Sequence, residues 1–191
     1  MFKREHVCEW REQAESLARE LQEIRHSAAF EDLGTGIGNF PQLNRDFTKL
    51  LGRYRRYAEP FAVAVMELDH YERSGASLEE LAVTQLARIL VESARVEDSV
   101  TRVGPRQFAV LLSRTDKAGA SAFIERARRY LSSQACLTEE GTRFFQAVGG
   151  SAEWDEDVGS LGALLAEAGL SLQRYARQVD QDGAHFRPQT G

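Results

Sequence analysis

The chain has 191 residues, with 24 basic against 29 acidic side chains, a formal net charge of −5, and 42% hydrophobic and 28% charged residues. That balance describes a soluble globular protein, because disordered chains lack the apolar fraction and membrane-embedded chains lack the charge. No eighteen apolar residues run together, residues 1–10 are charged with no signal-peptide core, and mild acidity gives no support for nucleic-acid binding. Cys8 and Cys136 are too few and too far apart for a disulfide framework or a metal site. A cytoplasmic protein with no membrane or nucleic-acid partner is therefore expected. Its length suits one domain plus an appendage, and a domain of this size buries roughly 70% of its unfolded surface.

Val7, Trp10, Ala14, Leu17, Leu21, Ile24 and Ala28 alternate spacings of three and four, a heptad seam on a helix. Glu20 at a g position and Arg25 at the next e position favour parallel association. The seam predicts a dimerising coiled coil over 1–29, the alternative being an amphipathic helix packed on its own domain. The globular part is expected over 30–181 and a frayed polar tail over 182–191. Glycines at 34, 36 and 38 then make a tight loop. A helix follows over 40–58, with Phe47, Leu50, Leu51 and Tyr54 on one face. The apolar run at 61–69 suits a central strand covered on both faces. A helix over 78–94 leads to strands at 99–103 and 107–112, joined as a hairpin through Gly104-Pro105-Arg106. A helix at 117–132, a strand at 143–154 and a helix at 161–177 complete the chain. Strands alternating with helices, plus one hairpin, predict an α/β fold with a mixed central sheet flanked by helices.

In this order the elements resemble the GGDEF family, the diguanylate cyclases that join two GTP molecules into cyclic di-GMP on a nucleotidyl-cyclase-like fold. Four segments carry the resemblance. Asp32-Leu33-Gly34-Thr35-Gly36-Ile37-Gly38-Asn39 is similar to the family's D-x-L-T-G-L-x-N opening. Glu67-Leu68-Asp69-His70-Tyr71 stands at the acidic end of the first core strand. Arg102-Val103-Gly104-Pro105-Arg106-Gln107-Phe108 stands at the signature hairpin, and Ala147-Val148-Gly149-Gly150-Ser151-Ala152 at the S-I-G-V-A strand.

The departures bear on activity. The family's hairpin offers two glycines to the nucleotide and then an acid to Mg²⁺. Pro105 removes an N–H and adds bulk at the second glycine. Arg106 stands in place of the acid, and a guanidinium cannot ligate a cation. Glu67 keeps one carboxylate, and beside Arg106 it reads as a salt bridge in a vestigial active site formed by Glu67, Gly104, Pro105, Arg106, Gln107 and Phe108. The guanine-binding Asn of the family is Gly75 here, the G-H-x-x-G-D segment is deleted, and Tyr175-Ala176-Arg177-Gln178-Val179-Asp180-Gln181 puts alanine and aspartate where the triphosphate cations belong. The resemblance thus implies a member with no catalytic residues, no metal, no cofactor and no enzymatic activity.

One family site has counterparts. Arg95-Val96-Glu97-Asp98 matches the R-x-x-D motif that binds cyclic di-GMP as an inhibitor, and Arg126 matches the second arginine from the following helix. The chemistry suits guanine: an arginine fork donates to O6 and N7, and a carboxylate accepts from N1–H and the amine. Arg and Asp at two fixed places arise by chance about once in 250, and the motif recurs at Arg177 and Asp180. A helix-end salt bridge between Arg95 and Asp98 is the alternative. The reading is a receptor for cyclic di-GMP, homodimeric through its N-terminal helix and acting on a protein partner. Against it stands a scaffold module that binds no nucleotide. Asp69-His70-Tyr71-Glu72 is read as packing, Arg53-Tyr54-Arg55-Arg56-Tyr57 as a solvated basic face with tyrosines turned inward, Asp155-Glu156-Asp157 as an exposed turn and Trp154 as a strand-end anchor.

Overall fold

The computed structural model describes residues 29–69, 76–138 and 141–181, with no side-chain description at 76 and 178–181. The heptad segment, His70 to Gly75 and the tail lie outside the described residues. Helix α1 (Phe40–Tyr57) begins where the Asn39 side chain accepts from Gln42 N–H, at 3.3 Å, with Pro41 in the first turn. It ends at Ala58, which adopts the left-handed conformation (φ 51°). Strand β1 (Phe61–Leu68) and helix α2 (Ala76–Ser93) follow. Strands β2 (Ser99–Arg102) and β3 (Gln107–Ser113) form the hairpin. Helix α3 (Lys117–Ser133) is capped by Asp116, whose carboxylate accepts from Gly119 N–H at 2.7 Å. Then come β4 (Ala135–Thr138), β5 (Gly141–Phe144), β6 (Ala147–Glu153) and α4 (Leu161–Gln181).

The main sheet has the order β2-β3-β1-β6, and every strand pairing in it is antiparallel. This corrects the mixed sheet expected from the alternation of strands and helices. The β1–α2–β2 crossover does return the chain in the same direction, but β3 occupies the place between the two strands. β6 likewise adds beside β1 on the far side, giving the β-α-β-β-α-β ferredoxin-like arrangement. The only parallel contact among the described residues is an isolated bridge between Gly38 and Thr101. The strand expected over 143–154 is two. Its first part pairs with β4 in a separate two-stranded sheet, and its second pairs with β1.

The apolar run of β1 is buried on both faces, as a central strand requires. Ala62, Ala64, Met66 and Leu68 pack with Phe108 and Val110 against Leu86, Ile89 and Leu90 of α2 and Phe123, Ala127 and Leu131 of α3. Phe61, Val63 and Val65 face the other way, toward Leu43, Phe47 and Leu50 of α1 and Leu164, Ala168 and Leu172 of α4. Trp154 anchors this second layer, stacked on Phe61 at 5.6 Å and edge-on to Phe47 at 5.1 Å. At Gly150 of β6 the α4 backbone approaches so closely that a Cβ would lie 2.2 Å from Leu172 N and 2.3 Å from Ala168 O. Only glycine permits that contact.

The β2 edge of the sheet is covered. The loop 32–39 lies along β2, where Gly38 N–H donates to Val100 O (3.2 Å) and Arg102 N–H donates to Gly38 O (2.8 Å). Across β6, Lys117 of α3 meets Glu167 of α4 at 3.6 Å, and Arg128 of α3 donates to the Tyr175 hydroxyl of α4. The covered β2 edge offers no template for strand addition. Among the described residues no helix is long and apolar enough to cross a membrane.

Candidate functional site

Two clusters of the expected residues are brought together, at opposite ends of β2. The first is the hairpin turn. Arg102 at the end of β2 folds its guanidinium back over the turn, donating from Nε to Gly104 O at 3.2 Å and from Nη2 to Pro105 O at 2.6 Å. Its remaining nitrogen, Nη1, donates to Asp32 Oδ1 at 3.1 Å. Asp32 also accepts from the Thr35 hydroxyl (2.7 Å) and the Thr35 N–H (3.0 Å). Burial alone would push the Asp32 carboxyl up, but the bonds from Thr35 and Arg102 outweigh it and hold the pKa below the usual value. Arg102 is therefore a staple between the glycine loop and the hairpin, a role that 70 residues of sequence separation hide.

The salt bridge expected between Glu67 and Arg106 is not the contact Glu67 makes. Glu67 Oε2 accepts from Gln107 Nε2 at 3.0 Å, because Glu67 and Gln107 are register partners at the ends of β1 and β3. Arg106 points the other way. It donates to the Asp69 carbonyl and lies 3.8 Å from Glu79 of α2. Phe108 is fully buried and serves the core. Beside the turn lies a cleft of about 280 Å³, walled by Gly34, Pro105, Arg102 and, from α2, Glu79, Glu80, Val83 and Thr84. Arg102 is its one basic group among the lining residues, and that group is committed to the staple. Glu67, already accepting from the Gln107 amide, offers one carboxylate where a divalent cation takes several oxygen ligands. An acid-lined cleft likewise disfavours a triphosphate.

The second cluster sits where α2 ends and β2 begins. Asp98 folds back over its own turn. Its Oδ2 accepts from Arg95 N–H at 2.8 Å, and its Oδ1 accepts from Ser113 N–H, across the strand, at 3.0 Å. Ser99 and Leu111 are the first register pair of β2 and β3, so the carboxylate extends that ladder by one rung. The helix-end salt bridge considered for Arg95 and Asp98 is thus a side chain to backbone bond instead. The Arg95 guanidinium is exposed and makes no ion pair among the described residues. Arg126 of α3 reaches across to the last residue of α2, donating to Ser93 O at 3.2 Å while lying 5.4 Å above the Phe123 ring. The three residues named from sequence therefore flank the α2–β2 connection, Arg126 touching it at Ser93 and Asp98 bonding the Arg95 backbone.

Sequence reasoning missed the surroundings of this cluster. Arg114, in the left-handed conformation (φ 48°), pairs with Glu97 at 3.2 Å. The Glu97 carboxyl is held below its usual range, first by its own backbone N–H and, against desolvation, by Arg114 and the nearby Arg95 charge. On the other side of Asp98 a groove of about 430 Å³ is walled by Phe30, Gln42, Arg45, Asp46 and Ser99. Desolvation raises the Asp46 pKa, but bonds from Lys49, Ser99 and Gln42 outweigh it and leave it lowered. The bond from Ser99 crosses 53 residues of sequence, and no local pattern announces it. Asp69 lies at the end of β1, and the rest of the Asp69-His70-Tyr71-Glu72 stretch is outside the described residues.

The family described as diguanylate cyclase, GGDEF domain, matches residues 29–181. The chain is 28% identical over 167 residues to the cyclic di-GMP phosphodiesterase NbdA of Pseudomonas aeruginosa, covering 85% of this chain and 21% of NbdA. It spans about a fifth or less of the length of the curated relatives it matches. Among solved structures it is similar to the coiled coil and GGDEF domain of DgcB from Caulobacter crescentus in complex with cyclic di-GMP. The TM-score is 0.76 at 17% identity, over 94% of each chain. It is also similar to the diguanylate cyclase SiaD of P. aeruginosa in complex with its activator SiaC, with a TM-score of 0.73 at 21% identity, over 91% of this chain and 68% of that one. At these identities the structural likeness shows the fold.

Proposed function

Because the chain belongs to the GGDEF domain family, we propose that it is a non-catalytic receptor for cyclic di-GMP, held at Arg95, Asp98 and Arg126. The observation that carries this reading is the contact of Arg126 with Ser93 O, two residues before Arg95, while the Arg95 fork stays exposed. In the proposed complex Arg95 donates to guanine O6 and N7, and Arg126 faces a phosphate. Each Asp98 oxygen, with one lone pair given to a backbone N–H, keeps another to accept from N1–H and the amine. Loss of catalysis is supported by Pro105 and Arg106 in the turn, by the Glu67 carboxylate spent on Gln107, and by the acidic wall of the cleft. The names of the relatives, NbdA and DgcB among them, concern cyclic di-GMP and support the ligand class.

Isothermal titration of the purified chain with cyclic di-GMP, alongside Arg95→Ala and Arg126→Ala, tests the proposal. Binding in the micromolar range that is lost in both variants is expected. No heat at ligand concentrations of tens of micromolar would overturn it. Incubation with GTP and Mg²⁺ is expected to give no cyclic di-GMP, and measured production would refute the inactivity.

A second reading is a nucleotide-independent scaffold in the cytoplasm, dimeric through its N-terminal helix and bound to a protein partner. The observation favouring it is that both Asp98 oxygens already serve the backbone. A partner complex that survives Arg95→Ala in a chain giving no titration heat would support it.

A further inference from the structure

The α2–β2 connection carries Arg95 with Glu97 and Asp98, and Arg126 reaches its start at Ser93. Two guanidiniums and two carboxylates cancel, and Arg88 and Glu92 on the last turns of α2 neutralise each other at 3.0 Å. Cyclic di-GMP carries two phosphodiesters, each a full negative charge. Taking both from water requires charged donors in return, and Arg126 serves only one of them. A receptor at this place therefore needs a further cation, and that cation has to stand beside the same connection.

Arg114 meets that requirement. It follows Ser113, whose N–H donates to Asp98 Oδ1 at 3.0 Å, so the end of β3 is bonded to the connection itself. Its Nη2 lies 3.2 Å from Glu97 Oε1, which holds the guanidinium beside the residue that precedes Asp98. The Glu97 carboxyl, lowered first by its own backbone N–H, is lowered further by Arg114 and then by the charge of Arg95. One carboxylate thus has both guanidiniums near it. Arg114 is 57% exposed and Glu97 28%, and an exposed ion pair contributes little, so exchanging it for another anion costs little. The backbone gives a separate signal. Arg114 has φ 48°, in the left-handed region that suits glycine or asparagine and is unfavourable for a long side chain. Among the described residues its guanidinium makes one hydrogen bond, the one to Glu97, so the turn itself does not call for an arginine. We propose, resting on the receptor reading, that Arg114 is a further ligand-binding residue, whose fork leaves Glu97 and donates to the phosphodiester that Arg126 does not serve. Glu97 keeps Arg114 in place in the free protein and competes with the ligand for it. Arg114 makes the site net positive, which selects a dianionic cyclic dinucleotide over a nucleoside or a monoanionic cyclic mononucleotide.

Isothermal titration with cyclic di-GMP of the wild-type chain, Arg114→Gly, Arg114→Lys and Glu97→Gln separates a ligand contact from a structural bridge. Arg114→Gly should weaken binding by about 10–100-fold, the range of hydrogen bonds to charged groups. Its melting temperature should stay the same or rise, because glycine accepts the left-handed backbone. Arg114→Lys keeps the charge without the fork and should fall between. Glu97→Gln should tighten binding several-fold, since the competing carboxylate is gone. Raising salt from about 50 to about 300 mM should weaken binding less in Arg114→Gly than in the wild-type chain, because one charged contact fewer is screened. A bridge that merely holds the turn predicts the opposite for Glu97→Gln: both substitutions would weaken binding alike and lower the melting temperature, and that result would overturn the proposal. Binding by Arg114→Gly within about twofold of wild type, with Arg95→Ala still abolishing it, would overturn the role of Arg114 and leave the receptor reading standing. No heat from the wild-type chain would end both. Circular dichroism identifies a variant that fails to fold, and the sign of the Glu97→Gln effect then decides.

Discussion

Asp98 accepts from two backbone donors and is also proposed to hold ligand, and a single substitution would confuse the two; their magnitudes separate them. Asp98→Ala deletes the acceptors of two backbone donors, Arg95 N–H at 2.8 Å and Ser113 N–H at 3.0 Å. The two losses differ. Arg95 is exposed, so water replaces the carboxylate at small cost. Ser113 is 1% exposed, and a buried donor left without a partner costs about 1–3 kcal/mol. The total should be about 1–3 kcal/mol, a large share of a typical stability of about 5–15 kcal/mol. Arg95→Ala removes an exposed guanidinium with no ion pair and should change stability by less than about 0.5 kcal/mol. Asp98→Asn keeps one acceptor oxygen and should fall between the two. Urea unfolding followed by circular dichroism, with slopes compared to check that the denatured state is unchanged, measures all three. If Asp98→Ala were within about 0.5 kcal/mol of wild type, or Arg95→Ala equally destabilising, the ladder-extending role of Asp98 would be wrong. The same series interprets binding: loss of cyclic di-GMP in Arg95→Ala without loss of stability reports a contact, while loss in Asp98→Ala alone reports a disordered loop.

Gly150→Ala should destabilise by about 1–3 kcal/mol or more, because α4 must retreat by about 1 Å to relieve a Cβ held 2.2 Å from its backbone. Gly52→Ala, with open space around it, should instead stabilise by about 0.5–1 kcal/mol, and thermal unfolding of the pair tests whether close approach or helix propensity governs each site. Asp32 has a folded pKa below its usual value, so its staple to Arg102 and Thr35 contributes in full above the ordinary carboxylate range and is lost as pH falls through the lower folded value. Urea midpoints should therefore drop between pH 6 and pH 3.5 more steeply in the wild-type chain than in Asp32→Asn; parallel curves would show that Asp32 is not a source of the acid sensitivity.

Much of the fold was legible because it follows local rules. The period of apolar residues placed α1, α3 and α4 to within a few residues, and the unbroken apolar run of β1 announced a strand buried on both faces. The family resemblance offered Arg95, Asp98 and Arg126 as a candidate site, which their spacing alone does not decide. Sequence could also say that Pro105 and Arg106 change the chemistry of the turn, since that follows from the residue types alone. Pairing is a different kind of information. Whether a strand that returns after a helix lies beside its predecessor or one place away depends on which strand fills the gap, so the sheet proved antiparallel where a mixed one was expected. Arg106 turned to Asp69 and Glu79, and Glu67 to Gln107, because strand register, absent from any one segment, decided who stood opposite whom. The sequence by itself determined which charges and which apolar stripes exist. Only the tertiary structure decided their partners, because a hydrogen bond or ion pair depends on distances of a few ångströms between residues that lie tens of positions apart in the chain.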